Sequence, residues 1–170
     1  MYKFFFFFLV IFFLPGCNDT FYSSIPNAPV NFICSLAQSP YVIITTTNQF
    51  FTVQKTSSGF SGINTAGQKI SGNKYGFYFG YGGILVGNSA FNGYCAFDLA
   101  CPYEYKEYNK KVSVELQTDG IGTAICPVCQ TKYDLNNGGI PKEGDSKERL
   151  KPYKVTLFME NGVENIAVSN

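Results

Sequence analysis

The placement of cysteines in the second half of the chain constrains the fold more than any other feature. Four of the six cysteines fall within residues 95–134, as Cys95, Cys101, Cys126 and Cys129, with the spacing C-x5-C-x24-C-x2-C. The pair Cys126-Pro127-Val128-Cys129 makes a good half-site for a metal, because so short a loop lets both sulfurs face one point. Cys95 and Cys101 make a weaker half. Six residues of extended chain would separate them by roughly 20 Å, so the backbone has to bend at Leu99-Ala100 before both reach one ion. The alternative use of these thiols is a disulfide, and four cysteines allow three pairings. The chain contains no histidine. That excludes Ser-His-Asp and Cys-His catalysis and any imidazole-held metal.

The first residues point to export. Met1-Tyr2-Lys3 carries one positive charge, and residues 4–14 are an unbroken apolar run of eleven. Such a run is too short to span a bilayer and fits the hydrophobic region of a signal peptide. It ends at Leu14-Pro15-Gly16-Cys17, which resembles the lipobox of bacterial lipoproteins, where the cysteine sulfur is lipidated. Pro15 departs from that pattern. Residues 1–16 are therefore expected to be a lipoprotein signal peptide, Cys17 the lipidated residue, and residues 17–29 a polar tether. Several acyl chains on one residue would hold the protein to a membrane of the cell envelope. With Cys17 lipidated, five cysteines remain, so at least one is unpaired or binds metal.

The remainder, residues 30–170, reads as one all-β domain. It is rich in Tyr, Phe and Gly and shows no long stretch of helical period. In residues 30–36 every second side chain is apolar, which places Cys34 in a core as a small apolar residue. Strands are expected over the β-branched residues 41–47 and over 50–53, 83–87, 94–98, 112–116 and 121–125. The clearest element is a terminal hairpin over residues 154–168 that turns at Asn161-Gly162, and Asn92-Gly93 marks another tight turn. Residues 57–73, which are small and polar, read as a long surface loop, and 106–111 as a charged loop. No helix of consequence is expected. The architecture should be a small sandwich or a partly open barrel, with a lobe at about residues 94–145 carrying the cysteines.

Charge excludes one partner class. Thirteen basic residues oppose twelve acidic ones, so no field recruits nucleic acid. The aromatic-glycine run at 75–81 has rings that could stack on bases or sugars. It has no basic residue within it to hold a phosphate, so a packing role is the simpler reading. Asp98, Glu104, Glu107 and the charged run 142–151 read as solvated loop charges.

Taken in order, these motifs resemble the Rieske iron–sulfur domain. Tyr94-Cys95-Ala96-Phe97-Asp98 is similar to the strand that leads into that family's first box. Cys101-Pro102-Tyr103 resembles the first box and Cys126-Pro127-Val128-Cys129 the second, with Tyr133-Asp134 as the trailing pair. Residues 138–141 and 150–155 are similar to the family's closing segment, and the likeness covers roughly residues 80–168. The resemblance implies that Cys101 and Cys126 sit on two loops that come close together. It also implies that Tyr103 and Cys129 stand where histidines would hold the second iron. A conventional Rieske centre is thus excluded.

Several readings of the site follow. One is a metal or a mostly Cys-ligated [2Fe-2S] cluster on Cys95, Cys101, Cys126 and Cys129, or on three of them with Tyr103 or water as fourth ligand; zinc is the other candidate. Another is a disulfide from Cys101 to Cys126 or Cys129, worth about 2–4 kcal/mol as a staple. A third is thiol–disulfide exchange at Cys126 and Cys129, which resemble the Cys-Pro-x-Cys of thioredoxin-type enzymes. Residues 130–135 then read as strand and turn, leaving no helix to activate the thiol. The signal region lacks the arginine pair that exports folded cluster proteins, which favours a structural site. The expectation is a non-catalytic envelope module, with electron transfer as the alternative and thiol chemistry third.

Overall fold

The computed structural model describes residues 22–73 and 75–170. The signal segment, Cys17 and the first part of the tether lie outside the described residues. The strands are β1 (Val30–Ser35), β2 (Gln49–Lys55), β3 (Phe60–Ile63), β4 (Lys69–Gly72), β5 (Tyr78–Phe79), β6 (Ile84–Ser89) and β7 (Gly93–Asp98). After the helix α1 (Pro102–Tyr108) come β8 (Glu115–Leu116), β9 (Thr123–Ile125), β10 (Lys132–Asp134), β11 (Ile140–Glu143), β12 (Pro152–Glu160) and β13 (Val163–Ser169). The fold is all-β, as the sequence predicts. A nine-stranded sheet has the order β4-β3-β2-β6-β7-β12-β13-β1-β5, and a four-stranded sheet the order β11-β10-β9-β8.

The large sheet curls until its flanks meet. Phe32 on β1 packs edge-on against Phe60 on β3, with ring centroids 5.8 Å apart, although the two strands lie at opposite ends of the sheet. Phe51, Phe77 and Phe79 join the same cluster. The curl is therefore closed by aromatic packing rather than by a continuous ladder, a partly open barrel in effect.

A second core fills the space between the outer face of this sheet and the small sheet. Ile84 and Val86 of β6 belong to the first core, and Leu85 between them belongs to the second. Phe51 and Phe50 of β2 divide in the same way. Alternate residues of a strand face opposite sides, so a strand with a core on each side must be apolar throughout. That is why Ile84-Leu85-Val86 is an unbroken apolar run.

Four expectations are corrected. Residues 57–73 are not a loop: they form the hairpin of β3 and β4, in register from Phe60↔Gly72 to Ile63↔Lys69. The small residues that imitate a loop are what let the hairpin lie against its neighbours, since a Cβ on Gly62 would come within 1.6 Å of the Thr52 carbonyl oxygen. Residues 41–47 are not a strand. Tyr41–Thr45 is a 3₁₀ turn crossing between β1 and β2, with Ile44 as its buried residue; here position overrides β-branched propensity. The segment expected as a charged loop over 106–111 begins inside α1. Of residues 112–116 only Glu115 and Leu116 pair with β9, while Ser113 bridges to Ala100.

Helix α1 has legible signals without apolar period. Pro102 stands in its first turn, Glu104 follows in the same turn, and Asn109 ends it in the left-handed conformation at φ 49°. The hairpins expected at Asn92-Gly93 and Asn161-Gly162 form, pairing Ser89↔Gly93 and Glu160↔Val163. Ahead of β1, the described part of the polar N-terminal stretch is held to the body. The Ser24 amide donates to Glu148 Oε2 at 2.7 Å, Lys151 Nζ donates to the Ile25 carbonyl at 3.1 Å, and Ile25 is buried.

Candidate metal centre

Two loops present the thiols. The first leaves β7 at Asp98, bends through Leu99-Ala100 and reaches Cys101 at the head of α1. Its path is fixed by backbone bonds: the Cys101 amide donates to the Val112 carbonyl at 2.8 Å, and the Val114 amide donates to the Leu99 carbonyl at 2.8 Å. The second loop is the turn from β9 to β10. The Cys126 amide donates to the Thr131 carbonyl, and the Gln130 amide to the Cys126 carbonyl, both at 3.0 Å. Gln130 adopts φ 58°, a left-handed conformation that non-glycine residues seldom take. Its side-chain amide donates to the Pro127 carbonyl at 2.8 Å and ties the turn together.

The loops bring Cys101, Cys126 and Cys129 together, with all three Sγ atoms within 4.8 Å of one another. Cys101 and Cys126 are fully buried, and Cys129 is half-buried at the rim. All three are free thiols, so the expected disulfide is not formed. The Cys101 and Cys129 sulfurs are 3.7 Å apart. That is far longer than an S–S bond of about 2.05 Å. It matches the edge of a tetrahedron with metal–sulfur bonds of about 2.3 Å, which is about 3.8 Å.

Cys95 is not part of this group. It stays in β7 opposite Gly87 of β6 and packs at the margin of the second core. The bend at Leu99-Ala100 occurs, but it carries Cys101 away from the strand direction that Cys95 keeps. Burial pushes the Cys95 thiol up to about 12, which suits a packed, protonated side chain. Cys34 behaves alike, in the first core with its thiol also pushed up to about 12 by burial.

Tyr103, expected at a lost ligand position, lines a surface hollow with Cys129 and is not among the hydrogen-bond partners of the three thiols. It lies in α1 with its ring 6.1 Å from that of Tyr108, and the Tyr108 hydroxyl pushes its phenol up to about 12. The hydroxyl at the site belongs instead to Tyr133, on β10. It is fully buried, and its Oη lies 3.3 Å from Cys101 Sγ. Burial, reinforced by the charge on Cys101, pushes the Tyr133 phenol well above its ordinary value. It therefore stays protonated and donates to sulfur rather than competing for a metal. Thr131 Oγ1 lies 3.3 Å from Cys129 Sγ and partners the third thiol. The signal for Tyr133 was its place in Lys132-Tyr133-Asp134, where period two turns a lone aromatic inward.

The group favours charge on Cys101. Contact with Cys126 lowers its thiol below the ordinary range against the opposing effect of burial, and Tyr133, the Glu104 amide and Cys129 add to the lowering. Cys126, facing that charge and buried, is pushed strongly up. Of this pair Cys101 thus releases its proton readily and Cys126 holds its own, unless a cation arrives to replace it.

A surface hollow of about 260 Å³ opens beside Cys129, between Val128 and the tyrosines of α1. Glu104 lines it and is nearly fully buried, so it is not the solvated loop charge expected; Glu107 is exposed as expected. Asp98 is also corrected. It is completely buried, and its carboxylate accepts the amides of Tyr81, Gly82 and Ala100 at 2.7, 2.9 and 2.7 Å and the Tyr153 hydroxyl at 2.5 Å. In the run 142–151, Glu148 is taken up by Lys106 of α1 at 2.9 Å.

Three thiols at one point are an S₃ donor set for one soft or borderline ion. A [2Fe-2S] cluster needs four protein ligands divided between two irons, and the described residues gather three about a single centre. Among the described residues no helix is long and apolar enough to cross a membrane. No family model matches the chain and no curated protein matches its sequence, so the reading of the site rests on its own geometry.

Proposed function

We propose that this protein is a non-catalytic lipoprotein of the cell envelope whose Cys101, Cys126 and Cys129 hold a single metal ion, zinc by preference, that clamps the small sheet to the large one. The observation that carries the metal reading is the convergence of three free thiols from two loops, with a sulfur–sulfur distance of 3.7 Å. Zinc suits the set because it takes thiolates and tolerates a water as fourth ligand. Tyr133 and Thr131 would orient the sulfurs and stabilise their charge. Descent from a Rieske domain would explain why two cysteine-bearing loops meet at all. With both histidine positions changed, the site has exchanged two irons for one ion. The anchor rests on the apolar run and on Cys17.

The test is to isolate the protein from the envelope of its own cell and measure bound metals, visible absorption and accessible thiols. One zinc per chain, no visible band, and three thiols that react only after chelation are the expected results. Stoichiometric iron with a charge-transfer band would replace this reading with electron transfer. A metal-free protein with Cys101 joined to Cys126 or Cys129 would replace it with a disulfide staple. For the anchor, labelled palmitate should enter the parent protein and not Cys17→Ala.

A further inference from the structure

Outside the thiol site, a groove of about 610 Å³ runs along the aromatic-glycine segment, similar in size to one of about 640 Å³ beside β3 and β4. Its walls carry Tyr75, Phe77, Tyr78 and Tyr81. Tyr75 is 86% and Tyr78 58% exposed, so the first core does not account for these two rings. In sequence the segment lacks a cation. The fold supplies two from distant strands and loops: Lys55 at the end of β2 and Lys111 after α1 both line the groove. Lys111 Nζ stands 5.3 Å from the centre of the Tyr81 ring. Among the described residues no acidic one lines it.

The floor is fixed from below. Asp98 accepts the amides of Tyr81 and Gly82, and a Cβ on Gly82 would meet its carboxylate at 2.7 Å. The Gln54 amide and the Ser113 hydroxyl both donate to the Gly82 carbonyl, at 3.2 and 3.1 Å. The buried carboxylate, which the thiol site does not use, thus holds the backbone beneath a row of exposed rings. A rigid concave floor with aromatic walls and a few placed polar groups is the usual form of a small-ligand site.

We infer that this groove binds an acidic saccharide, with Tyr75 and Tyr78 stacking on the apolar faces of sugar rings and Lys55 and Lys111 pairing with carboxylates. The flat C–H face of a pyranose matches an exposed phenol ring. The two lysines with no opposing acid select an anionic sugar over a neutral one. The two lysines among the described lining residues are too few to track a nucleic-acid backbone, for which each lost phosphate contact would be felt.

The full-length protein in detergent is titrated with three uronate tetrasaccharides, of galacturonate, of mannuronate and of alternating glucuronate and N-acetylglucosamine, with binding followed by calorimetry. At least one should bind, and its methyl ester should bind about tenfold more weakly. Tyr78→Ala and Lys111→Ala, both at exposed side chains, should each weaken binding by about fivefold or more. Tyr108→Ala, at the other hollow, should bind as the parent does, and circular dichroism should match for all variants. No binding by any of the three saccharides at millimolar concentration overturns the inference. So does equal affinity for acid and ester, or tighter binding of a ten-nucleotide oligothymidylate than of any saccharide. Chelating the metal at the thiol site should leave saccharide binding unchanged, which keeps this result separate from that of the metal reading.

Discussion

At the scale of single residues, an ion on the three thiols would depend on side chains that do not ligate it. Tyr133→Phe keeps the ring that packs in the second core and removes the one O–H beside Cys101 Sγ. Losing such an outer donor costs about 10–100-fold in metal affinity, and competition against a chromophoric chelator would measure it; an unchanged affinity would show that the hydroxyl is packing only. Asp98→Asn tests the other buried polar centre. The carboxylate accepts three backbone amides and one phenol, whereas an amide presents two donors of its own to the same groups. Stability should fall by about 3 kcal/mol, as for a hydrogen-bonded buried charge left mismatched, read as a lower denaturant midpoint at constant slope. Which cysteines form the site was only partly legible. The C-x2-C pair and Cys101 were readable from spacing and resemblance, but Cys95 lies in the same window and only the strand pairing of β7 with β6 removes it. The buried state of Glu104 was hidden because charge in a polar sequence neighbourhood looks solvated, and that of Asp98 because three of its four donors, Tyr81, Gly82 and Tyr153, lie 16 or more residues away in the chain.

At the scale of elements, α1, the loop before β12 and the N-terminal stretch are joined through one side chain. Glu148 takes Lys106 Nζ at 2.9 Å and the Ser24 amide at 2.7 Å, and Ser24 Oγ donates to the carbonyl of Pro102, next to Cys101. Burial would raise the Glu148 carboxyl, but Lys106 and Ser24 together hold it below its ordinary value of 4.5. A group lowered on folding stabilises above its unfolded pKa and loses that contribution as pH falls through the folded pKa. Glu148→Gln should therefore cost stability at neutral pH and make no difference once the parent's carboxyl is protonated, well below pH 4.5. Lys106 is largely exposed, so the difference should stay at about 1 kcal/mol or less. Denaturation midpoints of both proteins across that range would check it, and a gap that widens toward acid would contradict it. The hairpin of β3 and β4 gives a sharper test. Gly62→Val places a branched side chain where the Thr52 carbonyl already lies and should cost several kcal/mol, about the upper range for single substitutions. Small polar residues conveyed flexibility to a reader of the sequence. In the folded chain they convey close approach, and nothing local distinguishes the two.

At the scale of the whole molecule, the two cores would divide the consequences of metal binding. The first core is closed by Phe32, Phe51, Phe60 and Phe79 inside the curled sheet and includes none of the three thiols. The second contains Cys101 and Cys126, with Cys129 at its edge, and the small sheet shares it through Ala124 and Tyr133. β8 to β11 are two to four residues long, too short for their ladders alone to hold a sheet in place. An ion bridging the loop before α1 to the turn between β9 and β10 would tie the small sheet to the large one beside the contact of Tyr133 with Cys101. Binding to the folded state alone adds its own free energy to stability, but it should do so locally. Removing the metal with a chelator should therefore speed amide exchange in β9, β10 and α1 by at least about tenfold, while β1, β2 and β13 keep their protection. If exchange rises evenly across both sheets, the ion holds the entire fold. If it does not rise at all, the second core alone fixes the lobe, and three adjacent thiols would then have to be explained by what they bind for some other purpose than stability.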